Sequence, residues 1–147
     1  MCTNLFAYAV VIMPGINKLD DRQFIKTFQV TDQIIQNNSP LFMLLWVGSI
    51  LMLLISIGTG FNQLEGIEKM MLISAGIAYL VGVQLTTIVI HLPLNNQLQK
   101  VQLDDMNNDQ CLKVRREFEE PWNRSNRRRT AVACGVSFLL VLLAITL

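Results

Sequence analysis

Apolar residues fall into four long stretches along the chain, and almost every charged residue lies between those stretches. A helix needs roughly 20 residues, at about 1.5 Å each, to cross the hydrocarbon layer of a bilayer. The second and third stretches meet that length, and the fourth comes close to it without carrying a charge. The pattern predicts membrane helices at about residues 2–14, 41–61, 69–92 and 130–147.

The first stretch is too short to cross a bilayer by itself, and Pro14-Gly15 ends it. Three interpretations compete. A signal peptide is disfavoured because the segment has no basic start and no small-residue cleavage site. An interfacial or half-inserted helix is the second interpretation. We favour the third, a transmembrane helix that is short or truncated at its N-terminus.

Two polar, amphipathic helical segments are predicted between the apolar stretches, at about 19–36 and 110–129. Asn37-Asn38-Ser39-Pro40 should end the first of them. Pro121 suits the first turn of a helix, so we expect a helix that begins there and runs into the last apolar stretch.

The Lys and Arg residues are distributed very unevenly over the polar segments. Segments 14–40 and 93–129 hold eleven of the twelve, and the short link around Lys69 holds the other. Cytoplasmic loops carry an excess of Lys and Arg. Segments 14–40 and 93–129 should therefore face the cytoplasm, from a plasma or inner membrane. Four crossings put both termini outside, whereas a first helix that fails to cross puts the N-terminus inside.

Composition supports an all-α integral membrane bundle that forms one domain over residues 1–147. The chain is 52% hydrophobic and only 16% charged, whereas soluble domains carry about 25% charged residues. Three irregularly spaced cysteines do not suggest a disulfide framework. A short Arg cluster beside the bilayer argues against nucleic-acid binding and for contact with membrane lipids.

Small residues recur at four-residue intervals on three of the predicted helices. Helices in lipid approach each other closely where side chains are small. We therefore expect a tight antiparallel bundle, with close contacts at Ser56 and Gly60, at Ser74, Ala78 and Gly82, and at Ala131 and Gly135.

A polar stripe follows one face of the third helix, with residues spaced by three, four and four positions. Its members are Gln84, Thr87, His91 and Asn95. Unpaired polar groups are costly in hydrocarbon, so the stripe should face the bundle interior or a wet cavity. It is either a set of interhelical hydrogen bonds or the wall of a pocket, with His91 as its titratable group. One histidine and no CxxC pair give no metal site.

A second group, Trp122, Asn126 and Arg129, shares one helix face before the last apolar stretch. Tryptophan and arginine at an interface commonly anchor membrane helices, and the arginines could bind anionic lipid headgroups. An anchor does not require an amide, so Asn126 favours a further role for this face.

The two polar groups together resemble the small membrane proteins related to fungal anthrone oxygenases. Such proteins show Pro-Leu-Asn after the third helix and Trp-x-x-x-Asn-x-x-Arg-Thr entering the fourth. Pro93-Leu94-Asn95 and the run from Trp122 to Thr130 occupy these positions. The first loop is also similar, although Asp32 stands where the family has Asn, and the family's first helix is usually longer and glycine-rich.

The resemblance implies oxidation of an anthrone, or another hydrophobic aromatic molecule, by O₂ without a cofactor. His91 would remove a proton from the substrate. Asn95, Asn126 and Arg129 would stabilise the enolate, and Trp122, with Gln84 and Thr87, would bind the rings. The rival interpretation is a non-catalytic structural, interaction or lipid-binding protein. A transporter is a weaker third, because no charged residue lies at mid-membrane.

Overall fold

Five helices account for the architecture of the computed structural model, which describes residues 2–36 and 40–146. The expected end of the first amphipathic helix at 37–39 lies outside these residues. The helices are α1 (2–16), α2 (Asp21–Gln36), α3 (Pro40–Gln63), α4 (Gly66–Gln99) and α5 (Asn108–Thr146). No strand occurs in the described part of the chain, so the all-α prediction is confirmed.

Helices α3, α4 and α5 are each long and apolar enough to cross a membrane, and the apolar part of α1, Leu5–Ile16, is shorter. Many large apolar side chains on these helices point outward; Leu44 and Phe138, for example, are about two-thirds exposed. Exposed apolar side chains in such number are typical of a surface that contacts lipid tails. The protein is therefore an integral membrane helical bundle.

Side chains from α1, α3, α4 and α5 share one buried cluster inside the bundle. Its buried members are Leu5, Leu53, Ala75, Tyr79, Val83, Ala133 and Val136. Thr130 on α5 also donates a hydrogen bond to the carbonyl oxygen of Leu5. Helix α1 thus lies against the bundle rather than apart from it.

Close packing between α4 and α5 occurs at Gly82. A methyl group at this position would lie 2.8 Å from Cγ1 of Val132. The close contact predicted at Gly135 is wrong, because a methyl group there would have nothing within 4 Å.

Gly82→Ala should destabilise the bundle by about 1–3 kcal/mol, because the stiff Val132 side chain must shift to admit the methyl group. Gly58→Ala is the matched control, since no atom lies within 4 Å of a methyl group there. The control should be neutral or slightly stabilising, as alanine favours a helix. Thermal unfolding in detergent compares the two variants, and equal stability would rule out close packing at Gly82.

The segments outside the apolar bundle pack together into one layer, here called the head. It comprises residues 13–36 (the end of α1, the following turn and α2) and residues 92–122 (the end of α4, the linking loop and the first part of α5). Its buried core contains Met13, Phe24, Ile25, Phe28, Leu98, Cys111, Phe118 and Trp122. Arg115 on α5 donates hydrogen bonds to the carbonyl oxygens of Asn17 and Leu19, and pairs with Asp21. The two basic segments therefore lie at the same end of the bundle.

Two helix boundaries differ from the sequence-based expectation. Helix α4 continues past residue 92 and through Pro93, and the preceding turns Leu80–Leu85 and Thr87–His91 are π-helical. The wide turn leaves room for a proline ring that would otherwise clash with the carbonyl four residues earlier.

Helix α5 begins at Asn108, so Pro121 lies inside it and does not start a helix. Asn107 and Gln110 exchange side-chain-to-backbone hydrogen bonds of 2.8 and 2.9 Å at this end. That reciprocal cap satisfies N–H groups at the start of the helix and fixes its true beginning. The predicted segment 110–129 is consequently one helix with the last membrane segment.

Candidate functional site

A cavity of about 660 Å³ lies where the head meets the membrane bundle, within the size range of small-molecule pockets. All five helices contribute to its wall. Most of the lining is apolar or aromatic, including Leu5, Tyr8, Phe28, Phe42, Trp46 and Trp122. The polar lining residues are Asp32, Gln36, Thr87, His91, Asn95, Asn96 and Arg129.

His91 lies at the end of the second π turn of α4 and is only 3% exposed. Its Nε2 lies 3.0 Å from Oγ of Ser125 on α5, and its ring meets the Trp122 ring edge-on at a centroid distance of 5.0 Å. Its Nδ1 forms no hydrogen bond to any described residue. One nitrogen therefore fixes the ring, while the other is buried without a hydrogen-bond partner among the described residues.

Arg129 brings a cation to the same cavity and is 7% exposed. Its two terminal nitrogens donate to Oγ1 of Thr87 at 2.9 Å and to Oδ1 of Asn126 at 2.8 Å, whereas Nε has no partner among the described residues. No carboxylate of the described chain pairs with it. A buried cation without a counter-ion is costly, so this position suits an anionic group of a ligand.

A chain of hydrogen bonds links the Trp122 indole to Asp32 on α2. Its indole Nε1 donates to Oδ1 of Asn95 at 3.0 Å, and Nδ2 of Asn95 donates to Oδ1 of Asp32 at 2.8 Å. Gln36 and Gln99 donate to the other carboxylate oxygen of Asp32 at 2.7 and 3.1 Å. Burial raises the pKa of Asp32, and the hydrogen bonds from Gln99, Gln36 and Asn95 act in the opposite direction.

The residues singled out from the sequence do not all reach the cavity. Five of them line it: Thr87, His91, Asn95, Trp122 and Arg129. Asn126 is 1% exposed and does not line the cavity. It accepts a hydrogen bond from Arg129, which does. Gln84 lies deeper, where it accepts from Trp46 Nε1 and donates to the hydroxyl of Tyr79, and so joins α3 to α4.

Asp32, Trp46, Tyr8 and Ser125 belong to the site but were missed as site residues. Asp32 did leave a signal, because it follows Phe24 and Phe28 at four-residue spacing on the buried face of α2. A carboxylate on an apolar face requires partners, and that requirement could have marked it. Ser125 likewise follows Trp122 by three positions, on the same face of α5.

No group of three or more possible metal-ligating side chains comes together among the described residues. The site is built instead from one imidazole, one guanidinium, one carboxylate and several amides in a largely apolar chamber. Such a chamber can exclude bulk water, orient a hydrophobic ring system and hold a negative charge beside a base.

An all-α membrane bundle with a buried histidine–arginine cavity at one end is the class that fold and site define. The family model described as anthrone oxygenase matches residues 28–140, which is most of the chain. The protein therefore belongs to the anthrone oxygenase family. No curated protein and no solved structure matches the chain.

Proposed function

We propose that this protein oxidises an anthrone, or a related aromatic compound with an acidic C–H bond, using O₂ and no cofactor. The observation that carries the proposal is that two side chains of the same cavity each lack a partner. His91 has an unpartnered ring nitrogen, and Arg129 has no counter-ion among the described residues. A substrate that loses a proton to His91 and becomes an anion beside Arg129 supplies both missing partners. Membership of the family supports the same reaction.

The first step is proton removal. In the tautomer that this step requires, His91 Nε2–H donates to Oγ of Ser125, so that Nδ1 carries the lone pair and takes a proton from the methylene carbon opposite the substrate carbonyl. The charge moves to the carbonyl oxygen, where Arg129 stabilises the resulting enolate. Trp122 contacts the ring system and keeps the methylene beside His91.

Oxygen then reacts with the carbanion carbon. One electron passes from the enolate to O₂, the two radicals combine into a C–O bond, and the peroxide takes the proton from His91. Loss of the second proton from the same carbon breaks the O–O bond and forms the new carbonyl, and hydroxide leaves as water. Each turnover consumes one O₂ and yields one quinone and one water, so no external reductant is needed.

The geometry gives the two asparagines supporting roles in this proposal. Asn126 holds the Arg129 guanidinium, and Asn95 holds the Trp122 indole. Thr87 supports Arg129 from α4, and Gln84 keeps α3 and α4 together beside the cavity. The cation and base thus contact the substrate, while the amides fix their positions.

We also propose the orientation that the charge distribution favours. The head end of the bundle faces the cytoplasm from a plasma or inner membrane, since segments 14–40 and 93–129 hold eleven of the twelve Lys and Arg residues. Helix α1, which packs against the bundle, is then the fourth helix to cross the membrane. Lipids contact the exposed face of α3. A hydrophobic substrate dissolved in the membrane reaches the cavity where the head meets the bundle.

The proposal is tested by turnover of the purified protein in detergent, with an anthrone as substrate in air-saturated buffer. We expect quinone absorbance to rise with one O₂ consumed per quinone formed, at a rate unchanged by prior dialysis against EDTA. Buffer with detergent alone measures spontaneous oxidation. A rate no higher than that background would overturn the proposal and favour a non-catalytic structural or lipid-binding role.

A further inference from the structure

Asp32 is a buried carboxyl group that the proposed chemistry does not use. The residue is 4% exposed, lines the cavity, and pairs with no Lys or Arg among the described residues. Burying a carboxylate costs free energy unless hydrogen bonds compensate it. Both of its oxygens accept amide hydrogen bonds, and the bond from Asn95 leads directly to the site.

The Asn95 amide lies between two groups whose hydrogen-bonding roles are fixed by their chemistry. The indole N–H of Trp122 can only donate, and an ionised carboxylate at position 32 can only accept. Oδ1 of Asn95 must therefore face Trp122, and Nδ2 must face Asp32, as observed. Reversing the amide would set donor against donor and acceptor against acceptor. The carboxylate thus selects one of two amide orientations, and only that orientation accepts from Trp122.

Trp122 in turn forms part of the wall around the proposed base. Its ring meets His91 edge-on and also packs edge-on against Phe28, with a centroid distance of 5.7 Å. A rotation of the indole would change the space beside His91 without changing His91 itself.

We propose that Asp32 is a positioning residue, which sets the orientation of Trp122 through Asn95 and thereby shapes the substrate-binding wall. The proposal rests on the proposed function for its effect on turnover, but its effect on Trp122 is independent of any reaction. A merely structural role for Asp32 would be to hold α2 against α4. Gln29 supports that packing separately, by donating to the carbonyl oxygens of Leu98 and Val101.

The variants separate these roles. Asp32→Leu keeps the approximate shape but removes both acceptors. Asp32→Asn keeps an oxygen for Asn95, while the Gln36 amide can turn to accept from the new N–H group and Gln99 keeps its other bond, to the carbonyl oxygen of Gln29. Gln36→Leu is the matched control, because it removes a hydrogen bond to Asp32 that does not lead to Trp122. For the spectroscopic readout all three are made in a Trp46→Phe background, so that Trp122 is the one remaining tryptophan. The anthrone assay uses the same three substitutions with Trp46 in place, because Trp46 lines the cavity.

The spectroscopic readout is the near-ultraviolet circular dichroism of Trp122 in the folded, detergent-solubilised protein. Asp32→Leu should lose most of the tryptophan signal, whereas Asp32→Asn and Gln36→Leu should keep it. In the anthrone assay Asp32→Leu should raise KM by about five- to tenfold, which corresponds to one lost hydrogen bond. Asp32→Asn should stay within about twofold of its parent, since the bond is retained.

An unchanged Trp122 signal in folded Asp32→Leu would overturn the inference, as would equal losses in Asp32→Asn and Asp32→Leu. Should Asp32→Leu fail to fold, Asp32→Ser takes its place with the same criteria, because its hydroxyl is too short to reach Asn95. If the signal changes as expected but the unmodified protein fails to oxidise anthrone, the proposed function fails while the positioning role stands.

Discussion

His91→Gln should lower kcat for anthrone oxidation by about 10²–10⁴-fold, the usual contribution of a general base. Glutamine is polar and comparable in reach, so it can still bond Ser125, but it cannot accept a proton at neutral pH. Because the variant leaves Arg129 and Trp122 in place, substrate affinity should change much less than kcat. The measurement is initial-rate kinetics over a range of anthrone concentrations, with folded protein quantified by size-exclusion chromatography.

Thr86→Ala is the control for His91, since Thr86 lies on the same helix and its hydroxyl bonds the backbone of that helix. It should retain full activity. A His91→Gln protein that turns over at the normal rate per folded molecule, but melts at a lower temperature, would show that His91 serves only to hold α4 against α5.

Arg129→Met should lower kcat/KM by about 10²–10³-fold, the typical loss when an oxyanion-stabilising donor is removed. The apolar stem of arginine is approximately retained, so the cavity wall should persist. Arg129→Lys should recover only part of the loss, because an ammonium group cannot reproduce the fork that reaches Thr87 and Asn126 together.

Stability provides the decisive second readout for Arg129. A buried cation without a counter-ion destabilises the empty protein, so Arg129→Met should melt at the same or a higher temperature despite its low activity. Arg124→Met is the control, because Arg124 lies on the same helix and pairs with Glu120 at an exposed position. If Arg129→Met loses stability and keeps its activity, Arg129 is a structural residue and the enolate has no cation.

Much of this arrangement follows from local sequence patterns. Apolar stretches of helical length give α3, α4 and α5 because the bilayer imposes one minimum length on any crossing helix. Residues at three- and four-residue spacing must share a helix face, which is why the spacing alone groups Thr87, His91 and Asn95. Trp122 and Arg129 follow from the same geometry on α5, and both groups do line one cavity.

The remainder depends on contacts between distant segments or on unusual backbone. Asp32 gains its role from Asn95 and Gln99, more than sixty residues away. Nothing local to α2 reveals those partners. Pro93 indicates the end of a helix by the ordinary rule, but α4 continues through it after the wide π turn Thr87–His91. Pro121 misleads in the same way, because the cap at Asn107 lies well upstream of it.

These exceptions coincide with the site. The π turns of α4 end at His91, and π turns within helices are frequently found at functional positions. The extension beyond Pro93 carries Asn95 and Gln99 over the cavity, where they meet α2. The π turns therefore lie directly before the part of α4 that joins the head.

The proposed reaction depends on removal of a carbon-bound proton by His91, and this step can be observed without oxygen. Purified protein is incubated anaerobically with an anthrone in D₂O, and loss of the methylene signal is followed by proton NMR. We expect exchange well above the buffer rate for the unmodified protein, and exchange at the buffer rate for His91→Gln. Exchange at the buffer rate in both, or an equal acceleration in both, would contradict the proposed reaction.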